Sequence, residues 1–139
     1  MKFYDCKTAP SPRRVRIFIA EKGLDIETVD IDMRKGEQMS EEYRAINPNC
    51  TVPALVLDDG NILQTTAGIW AYLEDLHPEP TLMGATALEK GQIADVRWKI
   101  EFSGMLAMAE ALMLAAAADM DVQKVLDAIS GGAAGSWQL

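Results

Sequence analysis

Residues 47–55 read NPNCTVPAL and place Pro53 directly before an apolar run, ALVL, that has the composition of a β-strand. Proline has no backbone N–H, so a sheet accepts it only at the first residue of a strand, on an edge strand or at a bulge. Either a trans Pro53 blunts an edge strand, or Val52 and Pro53 form a cis peptide bond, which X-Pro bonds adopt at a small cost in free energy. The surrounding fold has to decide between these explanations.

The residues after Pro53 predict a β-hairpin and then a helix. The apolar runs ALVL and ILQ are joined by residues 58–61, DDGN, and an Asp-Gly pair is a strong hairpin signal. We therefore expect the third and fourth strands to be antiparallel neighbours. Apolar residues recur at helical spacing over residues 65–76, and the HPEP segment that follows ends this helix.

The residues before this stretch predict a βαβ unit. A short strand is expected over residues 2–5, and a helix from Pro12, which suits a first helical turn, to Gly23, which suits a helix end. Residues 26–33 alternate between apolar and polar side chains as a half-buried strand does, and a second helix is expected over residues 38–46. Together with the hairpin and its helix, this order predicts an α/β domain of the type βαβαββα.

The chain divides near the HPEP segment. We expect a first domain over residues 1–77, a linker over residues 78–87 and a partial helical domain over residues 88–139. A domain as small as the first buries a limited share of its surface, so further packing surface is expected beside it.

The last part of the sequence predicts two helices. Thr86 and Glu89 have the spacing of a capping box, which opens a long helix that is expected to end near residue 112. A second helix is expected over residues 119–130 and would stop at the glycine pair of the GGAAGSWQL tail. The composition of this tail is that of a flexible end.

Composition and charge exclude several classes of function. The chain has 139 residues, a formal net charge of −8 and 49% hydrophobic residues. Nucleic acids and anionic membrane surfaces are bound through an excess of lysine and arginine, so neither is expected as a partner. The first residues, MKFYDCK, lack the apolar segment of a secretion signal, and no uninterrupted apolar run reaches the ~18 residues of a membrane span. We expect a cytoplasmic protein with small-molecule or protein partners.

The cysteines and the histidine offer little for metal or redox chemistry. Cys6 and Cys50 do not form a CxxC pair, so neither a thioredoxin-type redox pair nor a zinc knuckle is expected. His77 is the single histidine, which argues against a histidine-rich metal site. We therefore expect no metal.

Three segments, FYDCKTAPSPRRVRIFIAEKGL, NPNCTVPALVLDDG and ILQTTAGIWAYLEDLHP, have the order and spacing of motifs in a known family. Over residues 1–76 the chain resembles the N-terminal domain of a cytosolic glutathione transferase. The resemblance implies a thioredoxin-like fold with a cis bond at Pro53, glutathione as co-substrate, a small electrophile as second substrate, and a homodimer. The segment IADVRWKIEFSGMLAMAEAL resembles the family's next helix, and the residues after it are too few for the family's second domain.

The resemblance also implies which residues hold glutathione. Val52, followed by Pro53, would present its backbone to the cysteinyl part of the tripeptide, as an added strand does. At the start of the third helix the family has an acidic residue and a serine that hold the γ-glutamyl group, and these positions fall on Gln64 and Thr65. Thr65 keeps a hydroxyl and also suits a helix N-cap, whereas Gln64 lacks the negative charge. Where the family usually has glycine, the chain has Cys50, which is either small and half-buried or reactive.

The same resemblance locates the residue that would activate the thiol of glutathione. Pro10 falls on the family's proline and Ala9 on its catalytic residue, but a methyl group cannot activate a thiol. Thr8 and Ser11 flank this position and are the candidate catalytic residues, while Tyr4 lies in the first strand. Backbone N–H groups are the alternative. Cys6 lies too early in the loop for the thiol-transfer classes and is interpreted as structural. The arginines of the RRVR segment either form a solvated face or attract an anion.

Three functions are compatible with these residues. The first is a glutathione transferase that joins the thiolate of glutathione to a small electrophile, or reduces a peroxide. The alternative, favoured by Ala9 and the short C-terminal part, is a catalytically weak or inactive binding and dimerisation module with the same fold. A thioredoxin or glutaredoxin type of oxidoreductase is disfavoured, because without CxxC only a monothiol reaction through Cys6 is available.

Overall fold

The computed structural model describes residues 1–130, and the predicted glycine stop at residues 131–132 and the tail lie outside the described residues. The chain divides into two compact units, the first over Met1–Leu82 and the second from Met83 onward. This boundary falls inside the predicted linker, residues 78–87. The two units are described separately.

The first unit is an α/β domain with the predicted element order βαβαββα. Its strands and helices are β1 (Lys2–Asp5), α1 (Pro10–Glu21), β2 (Glu27–Asp30), α2 (Glu41–Ile46), β3 (Ala54–Val56), β4 (Ile62–Leu63) and α3 (Thr66–Leu76). The predicted fold class is therefore confirmed.

The four strands form one mixed sheet in the order β2-β1-β3-β4. β1 pairs parallel with β2 and antiparallel with β3, and β3 pairs antiparallel with β4, as the hairpin signal predicted. This topology places the C-terminal ends of β1, β2 and β4 beside the N-terminal end of β3. We call this end of the sheet the carboxyl edge. Because α1 follows β1 and α3 follows β4, both helices begin near it.

Local signals explain most element boundaries. In the hairpin, Gly60 has a φ of 86°, and its N–H donates to the carbonyl of Leu57 over 3.0 Å. A residue without a Cβ adopts this left-handed conformation at no steric cost. α1 begins at Pro10, earlier than the expected Pro12, because proline is also accepted at the first helical position after the extended Ala9.

α2 is shorter than the sequence pattern predicted. Gly36 has a φ of 76° and separates two short 3-10 turns, Met33–Lys35 and Glu37–Met39. The Ser40 side chain then accepts a hydrogen bond from the N–H of Tyr43 and caps α2. Since an N-cap residue has extended backbone angles, the helix cannot begin before Glu41.

The core of the first unit lies between the sheet and the helix pair α1 and α3. Phe3 and Leu55, which pair in the sheet, are fully buried, as are Val15 of α1 and Ile69 and Leu73 of α3. Side chains alternate between the faces of a strand, so Tyr4 lies on the face opposite Phe3. There it meets Tyr43 of α2 edge to face, with ring centroids 5.8 Å apart.

The second unit contains α4 (Ala87–Ala117) and α5 (Val122–Ser130). Thr86 and Glu89 form the predicted capping box at the start of α4. The following large apolar side chains of α4 are exposed: Leu88, Val96, Trp98, Ile100, Phe102, Met105, Leu106, Met113 and Leu114.

Within residues 1–130, α4 is the one helix that is long and apolar enough to cross a membrane, judged by length and composition alone. Helices of soluble proteins also meet this criterion, and Glu101 and Glu110 interrupt the apolar half of α4. The expectation that the protein has no membrane partner stays a prediction.

A buried ion pair joins α1 to the end of α3. The ammonium group of Lys22, which is fully buried, lies 2.6 Å from the Glu74 carboxylate and donates to the carbonyls of His77 and Pro80 over 2.7 and 2.6 Å. The other carboxylate oxygen of Glu74 accepts from the N–H of Leu82 over 2.9 Å. A single lysine thus fixes α3 and the segment that follows it against α1.

Replacement of Lys22 by methionine is expected to lower the free energy of unfolding by about 3–5 kcal/mol, because the buried Glu74 carboxylate loses its cation. Urea-induced unfolding of the full chain, followed by circular dichroism, measures this loss. Lys35→Met is the matched control, since Lys35 pairs with Asp32 at the surface, where an ion pair contributes about 0–1 kcal/mol. A loss for Lys22→Met no larger than that of the control would contradict the prediction.

Candidate functional site

The loop before β3 is held by buried polar side chains. Asn47 has no exposed surface, and its Nδ2 donates to the carbonyl and to the hydroxyl of Thr51 over 2.7 and 3.0 Å. The hydroxyl of Tyr43 donates to the same carbonyl over 2.6 Å. Burial raises the pKa of Tyr43 to about 12, so this hydroxyl stays protonated and remains a donor. The path of the backbone into Val52 is therefore fixed from α2.

Val52 and Pro53 lie at the carboxyl edge, where the strand pairing stops. The peptide bond between them is cis. The last pair of the β1–β3 ladder joins Tyr4 to Ala54, so Val52 lies beyond the ladder and is half-exposed. Its peptide groups are thus placed where an added extended segment can pair with them.

The start of α3 faces the start of α1 across this edge. Thr65 is the N-cap of α3, and its hydroxyl accepts from the N–H of Gly68 over 3.0 Å. Gln64 donates from Nε2 to the carbonyl of Ile46 over 3.1 Å, which ties it to the end of α2. Thr66, which the sequence analysis did not single out, is buried and donates from Oγ1 to the carbonyl of Ser11 over 3.3 Å.

The β1–α1 loop, residues 6–9, and the first turn of α1 carry the candidate catalytic residues. Ala9 is the N-cap of α1 and offers no capping side chain. Ser11 lies between Pro10 and Pro12 and supplies the only backbone N–H among the first three residues of α1, because proline has none. Thr8 is exposed, and its Oγ1 lies 3.5 Å from Sγ of the buried Cys6.

Arg16 is a further residue of this site, and the sequence analysis interpreted it only together with the other arginines of the RRVR segment. Its guanidinium pairs with the Asp5 carboxylate and donates to the carbonyls of Cys6 and Lys7, both over 3.2 Å. Both interpretations of the RRVR arginines are therefore wrong for Arg16, because its guanidinium is held by protein groups and is not available to attract an anion. An acidic residue at the end of β1, followed by arginine in the first turns of the next helix, is the sequence signal for such a contact.

A cavity of about 380 Å³ lies on the α2 side of the sheet, and Tyr4 and Tyr43 are among the residues that line it. Asp30, Glu37 and Glu42 also line it, which makes it unsuitable for an anionic ligand. None of the predicted glutathione residues lines this cavity. Within residues 1–130, the acidic, cysteine and histidine side chains form no cluster that could hold a metal ion; the expectation of no metal stays a prediction.

Comparison with known proteins identifies the first unit. Residues 8–76 match the family model described as glutathione S-transferase, N-terminal domain. Through its first half, the chain belongs to the glutathione S-transferase family. Glutathione S-transferase 2 of Saccharomyces cerevisiae is 43% identical over 95 residues, which are 67% of this chain and 41% of that protein.

Solved structures of glutathione S-transferases support the same fold. A glutathione S-transferase domain-containing protein of Marinobacter aquaeolei is 38% identical, with a TM-score of 0.69 over 81% of this chain and 55% of that one. A maleylacetoacetate isomerase of Methylobacterium extorquens, solved with malonate and glutathione bound, is 36% identical, with a TM-score of 0.53 over 55% of this chain and 36% of that one. The chain thus spans about half the length of the relatives it matches, or less.

The second half of the chain resembles another family. Residues 99–139 match a model described as NAD-binding of NADP-dependent 3-hydroxyisobutyrate dehydrogenase. The Marinobacter match also extends into the second unit, because its 81% coverage exceeds the 82 of 139 residues in the first unit. The prediction that residues 88–139 are a shortened glutathione S-transferase helical domain stays a prediction. Residues 99–139 also match the dehydrogenase family model.

Cys50 adopts a backbone conformation that favours glycine. Its φ is 56°, and its N–H donates to the carbonyl of Asn47 over 2.9 Å, closing the turn before Thr51. The thiol is half-exposed and lies 3.6 Å from the carbonyl of Pro48. The glutathione S-transferase resemblance implies glycine here, and the left-handed turn gives the physical reason for it.

Cys50→Gly is expected to raise the free energy of unfolding by about 0.5–1 kcal/mol, because removing Cβ relieves a left-handed strain of roughly 1–2 kcal/mol that exceeds the entropy gained by the unfolded chain. Cys50→Ala is the control, since it removes the thiol and keeps Cβ. Denaturant unfolding under reducing conditions compares the two variants. A glycine variant no more stable than the alanine variant would show that the strain is absent.

Proposed function

We propose that the first unit binds glutathione at the carboxyl edge and that the protein is a glutathione transferase acting on small electrophiles. One observation carries this proposal: the N-termini of α1 and α3 and the backbone of Val52 meet at the same end of the sheet. This arrangement combines two positive helix ends with peptide groups that lie beyond the strand ladder.

The chemistry of glutathione matches these groups one by one. Its cysteinyl peptide would pair with the backbone of Val52, next to Pro53, as an added strand. Its γ-glutamyl carboxylate would lie at the N-terminus of α3, where the Thr65 hydroxyl and the first backbone N–H groups would donate hydrogen bonds to it. The Gln64 side-chain oxygen would accept from the γ-glutamyl ammonium without adding a charge.

The thiol of glutathione would lie at the N-terminus of α1. There the helix end and the hydroxyl groups of Ser11 and Thr8 would stabilise the thiolate. In conjugation, the thiol gives up its proton to solvent and its sulfur forms a bond to an electrophilic carbon of the second substrate. A halogenated aromatic then loses halide with the electron pair of the broken carbon–halogen bond, whereas an activated alkene loses its π bond and takes up a proton at the neighbouring carbon. In peroxide reduction, two glutathione molecules are instead oxidised to the disulfide while the peroxide is reduced.

The relatives support glutathione-dependent chemistry but leave the second substrate open. Their names include a transferase and a maleylacetoacetate isomerase, and one was solved with glutathione bound. Since this chain spans about half of such proteins, the electrophile site, the homodimer and the cytoplasmic location all belong to the proposal. A panel of electrophiles should therefore include an activated alkene beside halogenated aromatics and peroxides.

A second candidate function is a binding and dimerisation module without catalysis. Ala9 favours it, because the position that carries the activating side chain in the family holds a methyl group. Such a module would either bind glutathione without conjugating it or lack a glutathione site and serve dimerisation alone.

Calorimetric titration of glutathione into the full 139-residue chain tests the proposal. We expect saturable binding at one site, weakened roughly 10- to 100-fold by Thr65→Ala, because a hydrogen bond to a charged group contributes about 1.5–3 kcal/mol. Thr81→Ala is the matched control: Thr81 is exposed beyond the opposite end of α3 and bonds only to a local carbonyl among the contacts described.

The result separates three outcomes. Binding followed by conjugation of any electrophile in the panel supports the transferase. Binding without turnover supports the module. Absence of heat at millimolar glutathione, with a folded wild-type chain, contradicts the transferase and the glutathione site, and leaves only a dimerisation module without that site.

Substitution of Ser11 and Thr8 by alanine tests the activating side chain. If either hydroxyl stabilises the thiolate, its loss is expected to move the pH dependence of conjugation to higher pH, by roughly one unit for a stabilisation of about 1.4 kcal/mol. Rates measured between neutral and alkaline pH give this shift. A profile unchanged in both variants would assign activation to the backbone of α1.

A further inference from the structure

The arginines of helix α1 differ in what they contact. Arg13 is exposed, whereas the Arg16 guanidinium reaches back along the helix toward β1. There it pairs with the Asp5 carboxylate and donates to the carbonyls of Cys6 and Lys7 over 3.2 Å each. One side chain thus contacts three consecutive residues where the strand becomes the β1–α1 loop.

The loop depends on these contacts because its acceptors have left the sheet. The ladder between β1 and β2 ends at Asp5, whose side chain is only 3% exposed. A buried carboxylate and carbonyls leaving a sheet need donors, and the planar fork of arginine supplies several in a fixed geometry. The carbonyl of Cys6 also accepts from the N–H of Ala9 over 3.0 Å, so the contact extends to the N-cap of α1.

A second contact holds the loop from the other side. Asp30, at the end of β2, accepts from the N–H of Lys7 over 3.1 Å, and its second oxygen lies 3.3 Å from the Lys7 ammonium. Asp30 therefore holds the loop from β2, which we call the outer contact, while Arg16 holds it from α1, which we call the inner contact. Loss of Arg16 leaves the outer contact in place but removes the inner one.

We propose that Arg16 is a positioning residue for thiol chemistry at the carboxyl edge, because it fixes the β1–α1 loop and neutralises the Asp5 carboxylate beneath it. Its role in thiol ionisation rests on the proposed glutathione function, whereas its role in ordering the loop does not. The first role depends on charge and the second on geometry. The two can therefore be separated by variants.

Amide hydrogen exchange of the full chain tests the ordering role without any ligand. In Arg16→Met, the N–H groups of the β1–α1 loop and of Ala9 are expected to exchange at least about tenfold faster than in the wild type, since one inner contact contributes about 1.4 kcal/mol or more. Arg13→Met, with the same charge change one turn away, should leave them unchanged. Wild-type exchange in Arg16→Met would overturn the proposal.

Arg16→Lys keeps the proposal testable if the methionine variant does not fold. Lysine keeps the positive charge but cannot hold a carboxylate and two carbonyls in the geometry of a planar fork. We expect faster loop exchange in this variant with little change in the thiol pKa. Wild-type loop exchange in Arg16→Lys would likewise contradict a geometric role.

The pKa of the thiol of bound glutathione, followed by the ultraviolet absorbance of the thiolate, tests the charge role. Arg16→Met leaves Asp5 as an uncompensated negative charge, which disfavours a second anion nearby, so the thiol pKa is expected to rise by roughly one unit. In the double variant Arg16→Met with Asp5→Asn, the thiol pKa should return most of the way to its wild-type value. The amides of the β1–α1 loop should still exchange faster than in the wild type. An unshifted pKa in Arg16→Met overturns the charge role. A wild type that fails to bind glutathione defeats the proposed function, and the exchange result still decides the ordering role.

Discussion

The carbonyl of Thr51 is the acceptor on which the carboxyl edge depends. Asn47 and Tyr43, both buried, donate to it from two directions. Buried polar groups are paired in folded proteins, so these two bonds leave the chain one path from the end of α2 into Val52. That path leads into β3, which lies between β1 and β4 at the centre of the sheet. An error in this loop would therefore displace both neighbouring strands at the edge where the candidate site lies.

Much of the fold could be predicted because its signals are local. The DDGN turn and the Thr86 capping box act over a few residues, and both form as the sequence indicates. The start of α2 could not be predicted in this way. Its apolar pattern favours a helix from residue 38, but Gly36 and the Ser40 cap impose backbone angles that delay the helix to Glu41. The apolar period shows which face of a helix is buried, but it does not show that a cap inside the pattern sets a later start.

The candidate site was less accessible to sequence reasoning because its contacts span the fold. Thr65 is recognisable as an N-cap from its position, but the bond from Thr66 to Ser11 joins residues 55 positions apart. The role of Arg16 depends on the direction in which its side chain leaves α1, and a run of arginines in sequence does not show which one turns toward β1. The left-handed conformation of Cys50 is hidden for another reason, since a cysteine gives no signal for a positive φ.

The residues around the expected thiol position favour activation by the backbone and by fixed charges over activation by one strong side chain. Ala9 supplies no hydroxyl, and Pro10 and Pro12 remove two N–H groups from the first turn of α1, so the positive helix end is concentrated on Ser11. The weak positive potential at the start of α1 is easily cancelled by neighbouring anions, and the chain carries a net charge of −8. The guanidinium of Arg16 compensates the charge of the buried Asp5 carboxylate at the end of β1. If glutathione binds at this edge as proposed, formation of its thiolate would depend as much on which negative charges are neutralised as on which groups donate to the sulfur.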